Sequence, residues 1–312
     1  MSKLRRFRII GLVVAAAVGG VLTAASASAI SGGTPAADGT YGFVAKISMD
    51  GRACTGALLN PEYVITSADC FPENPQGGAP AKATTATVGR TNLAGTSGHV
   101  VKVTNLVTRA DRGVVLAKLD TLITDVTPIA LGTTAAANGE SLRVAGYGRT
   151  NNEWVPDWLH TATMSVASST PTTFALTGDV DTCKGDSGGP AFRETNGRAE
   201  LVGINSTSWQ HGCLTVTETR QGSTETRTDD IAGWINQQIQ PQTVSLKNHY
   251  TGRCLAVQGG NNVNEAGAFQ YDCAPKFPDR VWKIEPVDGG VQIRNQFTQR
   301  CLTVLASNNV NE

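Results

Sequence analysis

The chain lacks several features that would settle its class at once. It has no basic surplus: 26 Lys and Arg stand against 26 Asp and Glu in 312 residues, which argues against nucleic acid as a partner. It has no bilayer-spanning run, because the apolar stretch Ile9 to Leu22 is about 14 residues where roughly 20 are needed. Charged residues make up 17% and hydrophobic ones 40%, which excludes disorder and leaves a soluble globular chain long enough for two domains. Helical periodicity is scarce too. Residues 30 to about 240 are short Val-, Ile- and Thr-rich runs separated by Gly, Pro and Asn clusters, which predicts an all-β fold. The exception is Asp229 to Gln240, where Ile231, Trp234, Ile235 and Ile239 recur at helical spacing after an acidic start, so a helix closes this region.

Residues 1–29 read as a secretory signal. Lys3, Arg5, Arg6 and Arg8 form a basic region, the apolar run follows, and Ala27-Ser28-Ala29 offers a small-residue cleavage site. The mature chain then begins at Ile30, is extracellular and carries no membrane anchor. Without the four basic residues of the signal, its net charge is about −4. The seven cysteines of such an exported chain are expected to be mostly disulfide-bonded.

A repeat occupies the C-terminal part. VSLKNHYTGRCLAVQGGNNVNE from Val244 returns as VQIRNQFTQRCLTVLASNNVNE from Val291, offset by 47 residues with 12 of 22 positions identical. A period of this size marks a unit that needs neighbouring copies to complete a core. With Arg280-Val-Trp282 it resembles the ricin B-type β-trefoil lectins, whose three copies close one barrel. About one and a half copies are present, so a partial β-trefoil is expected over residues 241–312. By the spacing of Cys254 and Cys273, the partner of Cys301 falls near position 320, which implies a sequence that stops within the second copy.

Residues 30–240 carry a second resemblance, on motifs in a fixed order. ISGGTPA at Ile30, CTGALLNPEYVITSADC at Cys54, AGYGRT at Ala145 and CKGDSGGP at Cys183 together resemble the trypsin-like serine proteases. The resemblance implies two packed six-stranded antiparallel β-barrels with the site in the crevice between them. It implies Ser187 as nucleophile, with the N–H groups of Gly185 and Ser187 receiving the oxyanion. It pairs a new amino terminus at Ile30 with Asp186, and places Asp181, Trp209 and Gln210 around a pocket for an Arg or Lys side chain. Gln210 stands where the family usually keeps glycine, which narrows that pocket. By motif the disulfides are Cys54 with Cys70, Cys183 with Cys213, and Cys254 with Cys273.

Two positions depart from the family. Asp69 stands where the catalytic histidine belongs, and Gly113, in RADRGVVLAKL, where the acid belongs. Aspartate ordinarily titrates near 3.9 against about 6.5 for histidine, so it is the poorer proton acceptor at neutral pH. Asp111 is two residues early, and His99, His160, His211 and His249 lie outside any base motif. The expectation is a peptide- or protein-binding pseudoprotease, with an active endopeptidase cleaving after Arg or Lys as the alternative. In the lectin-like part, Ala256 and Thr303 replace the sugar-gripping acid, leaving Tyr271 and Asn261 as possible contacts with a polysaccharide. No cofactor and no metal are called for.

Overall fold

A computed structural model describes residues 30–239, 243–274, 276–287 and 290–303. The expected signal, residues 1–29, and the second Asn-Asn-Val-Asn-Glu segment lie outside them.

The first barrel contains β1 (Val44–Met49), β2 (Arg52–Asn60), β3 (Tyr63–Ser67), β4 (Thr84–Val88), β5 (His99–Arg109) and β6 (Val114–Leu119). The second contains β7 (Ser141–Gly146), β8 (His160–Ser169), β9 (Thr173–Thr177), β10 (Pro190–Thr195), β11 (Arg198–Ser208) and β12 (Ser223–Arg227). The first closes in the order β1-β2-β3-β6-β5-β4 and the second as β7-β8-β9-β12-β11-β10. The two sequences of strands are the same, so each barrel repeats one antiparallel plan and presents its loops to a common seam. Closure leaves no open sheet edge.

Alternation drives this arrangement. On β1, Val44, Ala45, Ile47 and Met49 are buried while Lys46 and Ser48 are half-buried, the period expected of a strand with one face on a core. On β6 the run Val114-Val115-Leu116-Ala117 is buried throughout. Ile30 joins Leu142, Val144, Met164 and Val166 in the core of the second barrel. The predicted C-terminal helix forms as α1, Ala232–Ile239, after a single 3-10 turn at Asp229–Ile231. Ile231 and Ile235 are buried, while Trp234 and Ile239 pack against the first core from a half-buried position.

The C-terminal unit consists of β13 (Thr243–Val244), β14 (Cys254–Val257), β15 (Ala268–Tyr271), β16 (Trp282–Val287) and β17 (Gly290–Asn295). It forms a three-stranded sheet, β13-β16-β17, and the hairpin β14-β15. Arg300 of the second copy explains the repeat physically. Its guanidinium donates to Asn262 Oδ1 at 3.0 Å and to Asn264 Oδ1, both in the Asn-rich segment of the first copy. The second copy thus supplies an arginine that satisfies the asparagines of the first.

Disulfides join Cys54–Cys70, Cys183–Cys213 and Cys254–Cys273, the pairs that the motifs indicated, and Cys301 is free.

Candidate active site

The site is assembled where a turn of the second barrel hangs from a strand of the first. On β2, the Thr55 N–H donates to the Ser187 carbonyl at 3.0 Å, and its hydroxyl donates to the Gly185 carbonyl at 2.8 Å. Cys70 Sγ lies 3.7 Å from the same Ser187 carbonyl, so the Ala68–Cys70 turn after β3 is held against the nucleophile segment. Gly188 sits at φ 81°, and a Cβ there would overlap Thr66 Oγ1 and the Thr55 carbonyl. Only glycine meets both demands.

Asp186 anchors the turn from below. It is buried, and its carboxylate accepts N–H groups from Gly148 at 2.8 Å and Cys183 at 2.8 Å. The backbone N–H of Ile30 is a third donor. Burial pushes this carboxyl up to about 7, against the opposing pull of the three N–H groups. The Ile30 side chain is fully buried, and Ser31 exchanges backbone bonds with Asp181 at 2.8 and 3.2 Å. The segment at Ile30 is therefore fastened by both its side chain and its backbone.

Ser187 Oγ is buried and has no hydrogen-bond partner among the described residues. Among the described residues the N–H groups of Gly185 and Ser187 donate to no protein acceptor, as a receptor for a developing oxyanion requires. Asp69 is exposed, and its carboxylate makes no hydrogen bond or ion pair among the described residues; its own N–H donates to Ser67 Oγ at 3.2 Å. Gly113 lies alongside, its carbonyl accepting the Ala68 N–H at 2.8 Å, with open space where a Cβ would project. The segments of Asp69 and Gly113 are thus neighbours, and among the described residues no side chain accepts from the Ser187 hydroxyl. Asp111 is exposed and paired with Arg109 at 3.2 Å. His99 is engaged by Asp125 at 2.6 Å and His211 by the Glu218 carbonyl at 2.6 Å.

Asp181 is fully buried (0% exposed). Its Oδ2 accepts the His211 N–H at 3.0 Å, while Oδ1 accepts no hydrogen bond among the described residues. Burial raises this carboxyl, moderated by the N–H groups of His211, Thr182 and Gly222 and by the Ser208 hydroxyl. Gln210 adopts φ 60° and donates its N–H to Ser208 Oγ at 2.9 Å; its side-chain oxygen is buried and unpartnered. Trp209 is 46% exposed, with the Arg220 guanidinium 3.6 Å over its ring.

Glu225 was not singled out by the sequence. It lies on β12 opposite Asn205, fully buried, accepting Ser223 Oγ at 2.8 Å and Asn205 Nδ2 at 3.1 Å on Oε1. Burial pushes it up to about 7, and the negative charges of Asp186 and Asp181 add to the shift. Its strand reads Ser-Thr-Glu-Thr-Arg, a polar run with no apolar alternation to reveal which face turns inward.

In the C-terminal unit Asn261 borders a cavity of about 660 Å³ with Asn264, Trp282, Asn295 and Arg300. Tyr271 is exposed on β15, away from that lining, beneath the Arg280 guanidinium at 5.4 Å. Ala256 is fully buried and Thr303 exposed, so neither position offers a carboxylate to a sugar.

Comparison with known proteins gives two family matches: Trypsin over residues 30–256 and ricin-type β-trefoil lectin domain-like over residues 232–312. A trypsin-like protease from Streptomyces glaucescens is 31% identical over 208 residues, spanning 59% of this chain and 74% of that protein. The venom serine protease Haly-2 of Gloydius brevicauda is 30% identical over 217 residues, 62% of this chain and 80% of the other. Sus scrofa trypsin is 24% identical over 238 residues, 67% and 95% respectively.

Proposed function

The chain belongs to the trypsin family of serine proteases, and within it we propose an exported binding protein whose proteolytic turnover is lost. One observation carries this reading: Ser187 Oγ has no partner, while the nearby base position holds an exposed, unengaged Asp69. A serine hydroxyl is a weak nucleophile without an adjacent base to take its proton. In subtilisin, losing the histidine costs on the order of a million-fold in turnover, leaving roughly a thousand-fold over water from the oxyanion donors and binding. The cleft then serves to hold a peptide or protein rather than to cut it. Asp181, Trp209 and Gln210 are the residues we assign to its side-chain pocket, with preference for a basic group. Ile30 and Asp186 are assigned as the pair that orders the turn once residues 1–29 are removed.

The protease unit is taken as residues 30–240 and the lectin unit as 241–312, although the two family matches overlap over residues 232–256. With Ala256 and Thr303 in place of the gripping acid, carbohydrate binding is weak and secondary.

The alternative is a slow endopeptidase cleaving after Arg or Lys, favoured by the unengaged Gly185 and Ser187 N–H groups. A fluorophosphonate probe and an arginine peptide ester separate the readings. Neither label nor turnover is expected from the mature chain; hydrolysis abolished by Ser187→Ala overturns the inactive reading. Retention on a polysaccharide column that vanishes on deletion of residues 243–312 tests the lectin role.

A further inference from the structure

One buried oxygen on each of three side chains finds no donor among the described residues. Asp181 Oδ1 and Glu225 Oε2 belong to two fully buried carboxylates, and each accepts no hydrogen bond; Gln210 Oε1 is a third unpartnered buried oxygen. A buried polar atom left unpaired costs about 1–3 kcal/mol, so each of these three oxygens calls for a donor that the described residues do not supply.

Short links join them. Asn205 Nδ2 donates both to Glu225 Oε1 at 3.1 Å and to Thr182 Oγ1 at 2.8 Å, and Thr182 adjoins Asp181. Ser208, which faces Asp181, lies opposite Ser223 in the ladder, and Ser223 Oγ donates to Glu225 at 2.8 Å. The charged groups that act on Glu225 are Asp181 and Asp186, both negative, and no Lys or Arg offsets them.

Resting on the reading of a cleft that takes basic groups, we propose that Glu225 is a second acid of this pocket and that the pair selects a guanidinium over an ammonium. A guanidinium is planar, carries five N–H donors in a rigid fork and is weakly hydrated, so it can address several fixed oxygens at once. An ammonium is a compact, strongly hydrated charge with three donors.

Isothermal titration of the full mature chain with benzamidine, an amidinium, and with benzylamine, an ammonium, tests this at pH 8.0 and 5.5. Benzamidine is expected to bind about ten-fold tighter than benzylamine at pH 8.0, and to weaken toward pH 5.5. Glu225→Gln keeps the shape of the side chain and is expected to lose about ten-fold in benzamidine affinity, as for one charge-assisted hydrogen bond. Asp186 titrates over the same range and His211 adjoins Asp181, so the readout is the difference between the pH profiles of the wild type and Glu225→Gln. Thermal unfolding of the variant checks its fold, and the wild-type preference between the two probes stands as a measurement free of mutation. If only Asp181→Asn weakens benzamidine, or the two probes bind equally, the proposal falls while the basic-pocket reading stands. If the wild type binds neither probe, the basic-pocket reading falls as well.

Discussion

The Thr55 N–H donates to the Ser187 carbonyl at 3.0 Å, so the segment bearing Ser187 is suspended from the opposite barrel. The Thr55 hydroxyl adds a bond to the Gly185 carbonyl at 2.8 Å and accepts the Tyr147 N–H at 3.0 Å. Thr55→Val leaves both of those groups unsatisfied at the seam. At about 1–3 kcal/mol for each buried orphan, a loss of about 3 kcal/mol is expected in denaturant unfolding, with an unchanged m-value.

Restoring the base tests the scaffold. In Asp69→His/Gly113→Asp the new imidazole follows Ala68, whose N–H is tied to the Gly113 carbonyl at 2.8 Å, and the space beyond Gly113 is open. Aspartate tolerates the left-handed φ of 62° at that position better than most side chains. Fluorophosphonate labelling and ester hydrolysis are expected from the double variant. Asp69→His alone should be slower by as much as about 10⁴-fold, since an unoriented imidazole presents the wrong tautomer.

How much of this was legible in the sequence follows from which contacts are local. The short β runs and the helix at Ile231 to Ile239 announce themselves within a few residues through their periodicity. The family motifs carried the disulfide pairs. Thr55 and Glu225 gave no signal, because each acts across a strand pairing or a barrel seam whose register no local pattern encodes. Asp181 was expected at a pocket floor, but its complete burial depends on the His211 N–H, contributed from 30 residues away.

The pH dependence of stability should depend on where the chain begins. Asp186 and Glu225 are each raised to about 7 from ordinary values of 3.8 and 4.5. Their contributions are therefore full below those ordinary values and are lost as the pH climbs to about 7. When Ile30 carries an α-ammonium, Asp186 gains a positive partner and ionises at lower cost. A chain beginning at Ile30 is expected to melt higher at pH 8 than one retaining Ala29 before it, with the gap narrowing at pH 5. Equal melting profiles would remove the Ile30–Asp186 pair from the account.

Arg112, immediately before Gly113, fixes the position of its turn. Its guanidinium meets Asp230 at 2.5 and 2.9 Å and the carbonyls of Thr172 and Arg227 at 3.2 and 3.1 Å, joining a turn of the first barrel to the start of the C-terminal helix region. Arg112→Met removes the cation and leaves Asp230 and two carbonyls unpaired, at an expected cost of about 3 kcal/mol. Arg112 holds the Asp230 carboxyl below its ordinary 3.8, so this stabilisation is present above that value and is lost as the pH falls through the lowered one. The difference between wild type and Arg112→Met in denaturant unfolding should accordingly be full at pH 6 and shrink below about pH 3.8. A gap that persists undiminished in acid would assign the stabilisation to the two carbonyl bonds alone.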